Sequence, residues 1–415
     1  MQGHGRMSDK PVKKKRVNVR RPDVMAKVQA EVEEHYRSEV VDLLKSRGNQ
    51  LTIGNTTVRL AQKFGFCYGV ERAIDLAYAS RRVFPENNIY LIGEIIHNQE
   101  VNAQLQKMNI VSLPWKELTD DYDRLTEDDV VIVPAFGAPV SYVEKIQEQG
   151  AQIVDTTCGD VMKVWRRVKS YAKDGITSII HGKSGHEETR ATASHALGPD
   201  KDGQYLVVLT LADVAVLTDY LTNGGDKEAF MAYFDGKTSD GFDPEVHLDR
   251  VGVANQTTML KSETEEIQGL IRDAIVARDG SPEKFKVFDT ICGATQERQD
   301  ALFGMLERPM DVLLVVGGYN SSNTSHLVEI GEKELPSFFI NSAECLHSLE
   351  TIVHFDLHQN KIVEGSYGDI LNKEAPIVIG VTAGASCPNN LIEDTIIRAF
   401  ELRGIDRDSV LAVGS

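Results

Sequence analysis

Three times in this chain a short extended segment ends at a cysteine and an amphipathic helix opens behind it. The settings are Phe66-Cys67-Tyr68-Gly69, Asp155-Thr156-Thr157-Cys158-Gly159 and Asp289-Thr290-Ile291-Cys292-Gly293. A helix N-terminus carries partial positive charge and free N–H groups, which stabilise a thiolate. Three thiolates gathered from three such junctions can hold a metal cluster and leave one metal site uncommitted. Asp-Thr-x-Cys-Gly occurs twice, and Cys67 also stands two residues before a glycine. The expectation is internal triplication: three α/β units, each delivering one cysteine to a shared centre.

The strand signals agree. Short apolar runs at 58–61, 89–92, 130–134, 176–180, 205–209, 251–254, 312–316 and 377–381 are mostly followed by Gly, Asn or Ser and then by a helical pattern. This is the pattern of parallel sheets covered by helices, in which ligands gather at the carboxyl ends of strands. The predicted organisation is an N-terminal extension over 1–50, then α/β domains over 51–150, 151–285 and 286–415 carrying Cys67, Cys158 and Cys292. Residues 198–248, rich in Gly and Asp, read as an elaborated surface segment. Residues 1–22, with Lys13, Lys14, Lys15, Arg16, Arg20 and Arg21, read as a solvated basic tail. Residues 23–48 read as one helix, with Val24, Val28, Val32, Tyr36, Val40 and Leu44 at helical spacing and Gly48 as the stop.

A net charge of -17 argues against broad nucleic-acid affinity, though a local site can still oppose the global sign. No apolar run is long enough to span a membrane, and no hydrophobic signal segment opens the chain. Five dispersed cysteines do not form a secreted disulfide framework, so a reducing cytoplasm is the expected compartment. Cys345 and Cys387 lack the matched setting, and Cys345 is read as a small buried hydrophobe. Zinc is the rival metal, but structural zinc sites take four ligands, often in close Cys-x-x-Cys pairs, and no such pair exists here. A cubane iron–sulfur cluster with one open iron fits three dispersed cysteines better.

Five loops after strands are unusually polar: Gly93-Glu94-Ile95-Ile96-His97-Asn98, His181-Gly182-Lys183-Ser184-Gly185-His186-Glu187-Glu188, Asn255-Gln256-Thr257-Thr258, Gly317-Gly318-Tyr319-Asn320-Ser321-Ser322-Asn323-Thr324-Ser325 and Thr382-Ala383-Gly384-Ala385-Ser386. Such residues also serve as ordinary turns and N-caps. Together, at strand ends, they read as cradles for a small phosphorylated ligand. Neither a Walker motif nor Gly-x-Gly-x-x-Gly is present, so a nucleotide is not favoured. Glu187 and Glu188 beside His186 read either as a solvated pair or as a source of a proton.

At these residues the chain resembles the 4-hydroxy-3-methylbut-2-enyl diphosphate reductase family. The match runs from about Val58 to Arg398. It rests on Gly65-Phe66-Cys67-x-Gly69-Val70-x-Arg72-Ala73-Ile74, Ile96-His97-Asn98, Asp155-x-Thr157-Cys158, Gly185-His186-x-Glu188, Gln256-Thr257-Thr258, Asn320-Ser321-Ser322-Asn323 and Val381-Thr382-Ala383-Gly384-Ala385-Ser386. The resemblance implies three α/β domains around a pseudo-threefold axis with a central 4Fe–4S cluster, held by Cys67, Cys158 and Cys292. It implies Glu188 as proton donor with the Thr257 hydroxyl beside it. It implies a diphosphate grip from His97, His186, Ser321, Asn323 and Ser386, with Ser322 adjacent. The implied reaction is reductive dehydroxylation of an allylic diphosphate to isopentenyl and dimethylallyl diphosphates, with electrons from a ferredoxin or flavodoxin type partner. One departure is plain: many bacterial members place a histidine where this chain has Phe136, and the plant and cyanobacterial branch looks similar to this chain there. The alternatives are a quinolinate-synthase-like enzyme, which dehydrates without net reduction, and a non-enzymatic iron–sulfur sensor or scaffold.

Overall fold

The computed structural model describes residues 17–288 and 290–413. Among the described residues three large sheets carry the molecule, alongside a two-stranded antiparallel one formed by Thr351–Asp356 and Lys361–Ser366. In the first, the spatial order is Ile110–Leu113, Ile89–Ile92, Val130–Val133, Gln152–Asp155, all parallel. In the second it is Tyr205–Val208, Thr177–His181, Val251–Asn255, Phe285–Val287, again all parallel. Both therefore run second, first, third, fourth in chain order. The third sheet repeats this scheme with Ser337–Ile340, Val312–Val316 and Ile377–Ala383, but its fourth strand is Thr56–Leu60, from the other end of the chain. Gln50–Ile53 extends it antiparallel. Central strands such as Val130–Val133 and Val312–Val316 are buried at every residue, as strands covered by helices on both faces must be.

The triplication read from the cysteines is thus real at the level of topology, with one correction. The boundary at residue 51 assigns Thr56–Leu60 to the Cys67 unit, whereas its backbone bonds belong to the third sheet. Each cysteine therefore marks a crossing from the fourth strand of one sheet to the first helix of the next. A chain ending before Ile377–Ala383 is expected to leave Thr56–Leu60 without its parallel neighbour. Limited proteolysis should then cut near residues 50–61, and a cut pattern like that of the full chain would contradict the ring closure.

Three further expectations change. The helix over 23–48 is two helices, Pro22–Tyr36 and Glu39–Ser46. Arg37 and Ser38 are extended between them, and the Ser38 hydroxyl caps the second by accepting from Val41 N–H at 2.9 Å. Ser38 is buried and donates to Glu393 at 2.5 Å, which ties this segment to the helix Asn389–Leu402. The tail packs at its end: Val17 N–H bonds the Ile153 carbonyl and Val19 is buried. Lys13, Lys14, Lys15 and Arg16 lie outside the described residues. Residues 198–248 are more than surface. They supply a strand of the second sheet, and Leu217, Phe230 and Phe234 enter the core behind it. No helix among the described residues is long and apolar enough to cross a membrane.

Candidate active site

Cys67, Cys158 and Cys292 are the N-cap residues of Tyr68–Val83, Gly159–Lys173 and Gly293–Leu306. Each has an extended backbone, and no cysteine side chain makes the capping bond, so all three sulfurs stay available. Each cysteine N–H donates to a carbonyl just after the third strand of the sheet it leaves: Ala385 for Cys67, Ala135 for Cys158 and Thr257 for Cys292. One bond, repeated three times, sets the three thiols facing a common space. Asp289, which begins the third motif, lies outside the described residues.

Gly69 keeps that space open. A Cβ there would sit 2.7 Å from Cys158 Sγ and 3.8 Å from Cys67 Sγ. The thiols are free, and burial pushes the Cys292 pKa up to about 12 and raises that of Cys158. Buried thiols of this kind become thiolates when a cation arrives to compensate them. Cys292 Sγ also lies 3.2 Å from Asp160, which Lys163 holds at 2.7 Å.

The polar loops close over the same space. A single cavity is lined by Cys67, Cys158 and Cys292 together with Glu188, Thr257, His97, His186, Ser321, Ser322, Asn323 and Ser386. Every site residue expected from the sequence is brought together, and Phe136 joins them.

Glu188 is 3% exposed. Its Oε1 accepts the Thr257 N–H at 2.6 Å and its Oε2 lies 3.0 Å from the Thr257 hydroxyl. Burial lifts its pKa up to about 7 against the opposing effect of these two bonds. The solvated-pair reading is excluded for this residue.

The histidines form a directed relay. His186 caps the helix Glu187–Ala196, and its Nδ1 accepts the Glu188 N–H at 3.1 Å. Burial, then the charge of His97, holds its pKa well below the usual value, so the ring is neutral and its proton is on Nε2. That Nε2 lies 3.2 Å from His97 Nε2, and His97 Nδ1 lies 3.1 Å from Glu94. One assignment satisfies all three contacts: His186 donates to His97, and His97 donates to Glu94. Glu187 comes within 3.6 Å of His97 Nε2, so three ligand-type groups meet here. A metal would need a lone pair on His186 Nε2, which the backbone bond at Nδ1 denies it.

Phe136 cannot bond phosphate, and its ring stacks on His97 at 4.7 Å with 14° between planes. It holds the orientation of the His97 imidazole. Gly137 beside it has φ +81, and a Cβ there would overlap Trp165. On the far side, Asn323 Oδ1 accepts the Ala385 N–H at 2.9 Å while its buried Nδ2 lacks a partner among the described residues. Ser386 donates to the His97 carbonyl at 3.1 Å. Ser321 caps Ser322–Gly331, so the free N–H groups of that helix also point at the site. Gln256 joins the loops: its Nε2 donates to Ser322 at 3.0 Å and its Oε1 accepts from Thr189 at 3.1 Å. Sequence reasoning missed Glu94 and Asn320 as partners of His97. The Glu94/His97 spacing was the available signal, and Asn320, which donates to Glu94 at 3.0 Å, had none.

Comparison with known proteins agrees with this geometry. Residues 58–399 match the LytB protein family. A protein of a Synechococcus species called 4-hydroxy-3-methylbut-2-enyl diphosphate reductase is 44% identical over 380 residues, covering 91% of this chain and 93% of its own length. A protein of the same name from Gloeobacter violaceus is 45% identical over 388 residues, covering 92% and 91%. A solved structure of (E)-4-hydroxy-3-methyl-but-2-enyl diphosphate reductase, described as the terminal enzyme of the non-mevalonate pathway, superposes with a TM-score of 0.51 at 25% identity, over 83% of this chain and 99% of that one. The Plasmodium falciparum E-1-hydroxy-2-methyl-but-2-enyl-4-diphosphate reductase shares the fold, with a TM-score of 0.59 at 22% identity over 82% and 86%. With three matched cysteine junctions, one shared cavity and a family match over most of its length, the chain belongs to the LytB protein family.

Proposed function

We propose that this cavity divides the work of a reductive dehydroxylation between thiols, a buried acid and an anion grip. The activity is the one the relatives are named for, reduction of 4-hydroxy-3-methylbut-2-enyl diphosphate to isopentenyl and dimethylallyl diphosphates. The carbon–oxygen bond breaks, two electrons and two protons are consumed, and the oxygen leaves as water. The Ser and Asn loops speak against a quinolinate-synthase-like reaction, and a sensor has no use for Glu188.

The residues present fit an iron–sulfur cluster. Three free thiols share one space, Gly69 leaves room for sulfur, and no Cys-x-x-Cys pair offers a closed zinc site. Cys67, Cys158 and Cys292 would hold a 4Fe–4S cluster, which when bound supplies electrons one at a time and a Lewis acid for the hydroxyl. The electrons come from a ferredoxin or flavodoxin type carrier. A second cavity, with Lys45, Lys63 and Tyr68 in its wall, reaches all three cysteines and gives such a partner a route in.

The grip orients the substrate. Asn323 offers an amide nitrogen with no partner among the described residues, Ser321 offers its hydroxyl, and His97, His186 and Ser386 stand around the same space, so the diphosphate is held by its oxygens while the hydroxyl end faces the thiols. Phe136 holds His97 flat against the wall. Glu188 keeps a proton on Oε2 and passes it through the Thr257 hydroxyl to the leaving oxygen. The observation that carries this reading is the buried Glu188–Thr257 pair facing the three cysteines across one cavity.

A pH profile tests it. The raised pKa means that Glu188 is protonated below about 7 and loses its proton above. Turnover limited by this proton should fall as pH rises through that value, by about tenfold per unit beyond it. A kcat that is flat through this range would remove Glu188 from the proton-donor role.

A further inference from the structure

Arg298 lies on Gly293–Leu306, the helix that Cys292 opens, and it is 4% exposed. Its Nε and Nη2 donate to the Gly65 carbonyl at 3.2 and 2.5 Å, and its Nη1 donates to the Ala294 carbonyl at 2.8 Å. All of these partners are neutral. A buried guanidinium without a counter-charge is unfavourable, so one is expected nearby. Arg298 lines the cavity that holds Cys67, Cys158 and Cys292. Burial lowers its pKa, and among the charges that oppose this, Cys67 and Cys292 come ahead of Glu297 and Glu71. Arg72 offers a contrast. It also donates to carbonyls ahead of a cysteine, those of Thr156 and Thr157, yet it stays partly exposed.

We propose that Arg298 is the fixed counter-charge of the thiolate set and tunes the reduction potential of the cluster those thiolates hold. The inference rests on the cysteine ligand assignment above. Each electron accepted adds negative charge beside a guanidinium that solvent cannot screen, so Arg298 favours the reduced form. It acts through the ligands and does not touch the substrate.

The test is an anaerobic redox titration of reconstituted protein, followed by electron paramagnetic resonance without substrate. Arg298→Gln keeps a donor for the Gly65 carbonyl and removes the charge. It should make one-electron reduction at least about tenfold less favourable, a downward shift of about 59 mV. Arg298→Lys keeps the charge and should stay near the parent. A potential for Arg298→Gln equal to the parent overturns the proposal, and so does a shift in Arg298→Lys as large as that in Arg298→Gln. If Arg298→Gln holds no cluster while Arg298→Lys holds one at the parental potential, the charge is required and the proposal stands. If neither holds one although both apoproteins melt like the parent, Arg298 serves only the Gly65 turn and the proposal falls. A parent chain that takes up no cluster would instead strike the ligand assignment.

Discussion

Glu188→Gln is expected to lower kcat by about 10²–10⁴-fold, the usual contribution of a positioned general acid, while substrate affinity changes little. The amide is nearly isosteric and can still accept the Thr257 N–H through its oxygen. Its nitrogen can donate to the Thr257 hydroxyl, so the loop geometry survives. What is lost is a group that releases a proton near neutral pH. Glu188 lies outside the group formed by the two imidazoles and Glu187, so the proposed diphosphate grip is left intact. The measurement is a steady-state split of kcat from KM, paired with direct binding of the substrate to the variant. Normal turnover with weakened binding would make Glu188 a binding residue and sink the proton relay. The descending limb of the pH profile should also disappear in this variant, since the group that titrates is gone.

Cys292→Ser is the second large effect. The substitution keeps the shape of the helix N-cap but replaces a sulfur ligand with a hydroxyl that stays protonated at neutral pH. Loss of an outer partner to a metal ligand already costs 10–100-fold in affinity or activity, so loss of the ligand itself should exceed about 10²-fold. Asp160, 3.2 Å from the Cys292 sulfur, adds local negative charge and will not restore a soft donor. The check is the visible absorbance and iron content after anaerobic reconstitution, together with the melting temperature of the apoprotein. A variant with parental iron and parental activity would show that Cys292 is not a ligand. Cys345→Ser is the internal control: its thiol lies away from the cavity, against Tyr319 and Asn341, and cluster content should not change.

The parts of this molecule that were legible in the sequence are those with a local signature. Strands buried on both faces, such as Val130–Val133 and Val312–Val316, are unbroken apolar runs and were placed within a residue or so. Ile110–Leu113 exposes its two middle residues and Phe285–Val287 exposes two of three, so neither carries a period to read. The break at Ser38 was hidden because apolar spacing continues through it. Ring closure by Thr56–Leu60 leaves no local trace at all, since its partner Ile377–Ala383 lies near the other end of the chain. The residues that line the shared cavity were legible through their motifs. The direction of the histidine relay was not, because it depends on a backbone bond to His186 Nδ1 that only the folded chain defines.

The shared strand also governs the order of events in synthesis. Thr56–Leu60 emerges from the ribosome early and can pair at once with Gln50–Ile53, but it must wait for its parallel neighbour Ile377–Ala383, nearly the whole chain later. Cys67 waits with it, because its N–H is held by the Ala385 carbonyl. Cys158 and Cys292 reach their settings sooner, through Ala135 and Thr257. The first cysteine made is thus the last to be seated. On the proposed ligand assignment, iron delivered to the nascent chain would meet an unfinished nest, and insertion of a cluster would belong after the chain has been released.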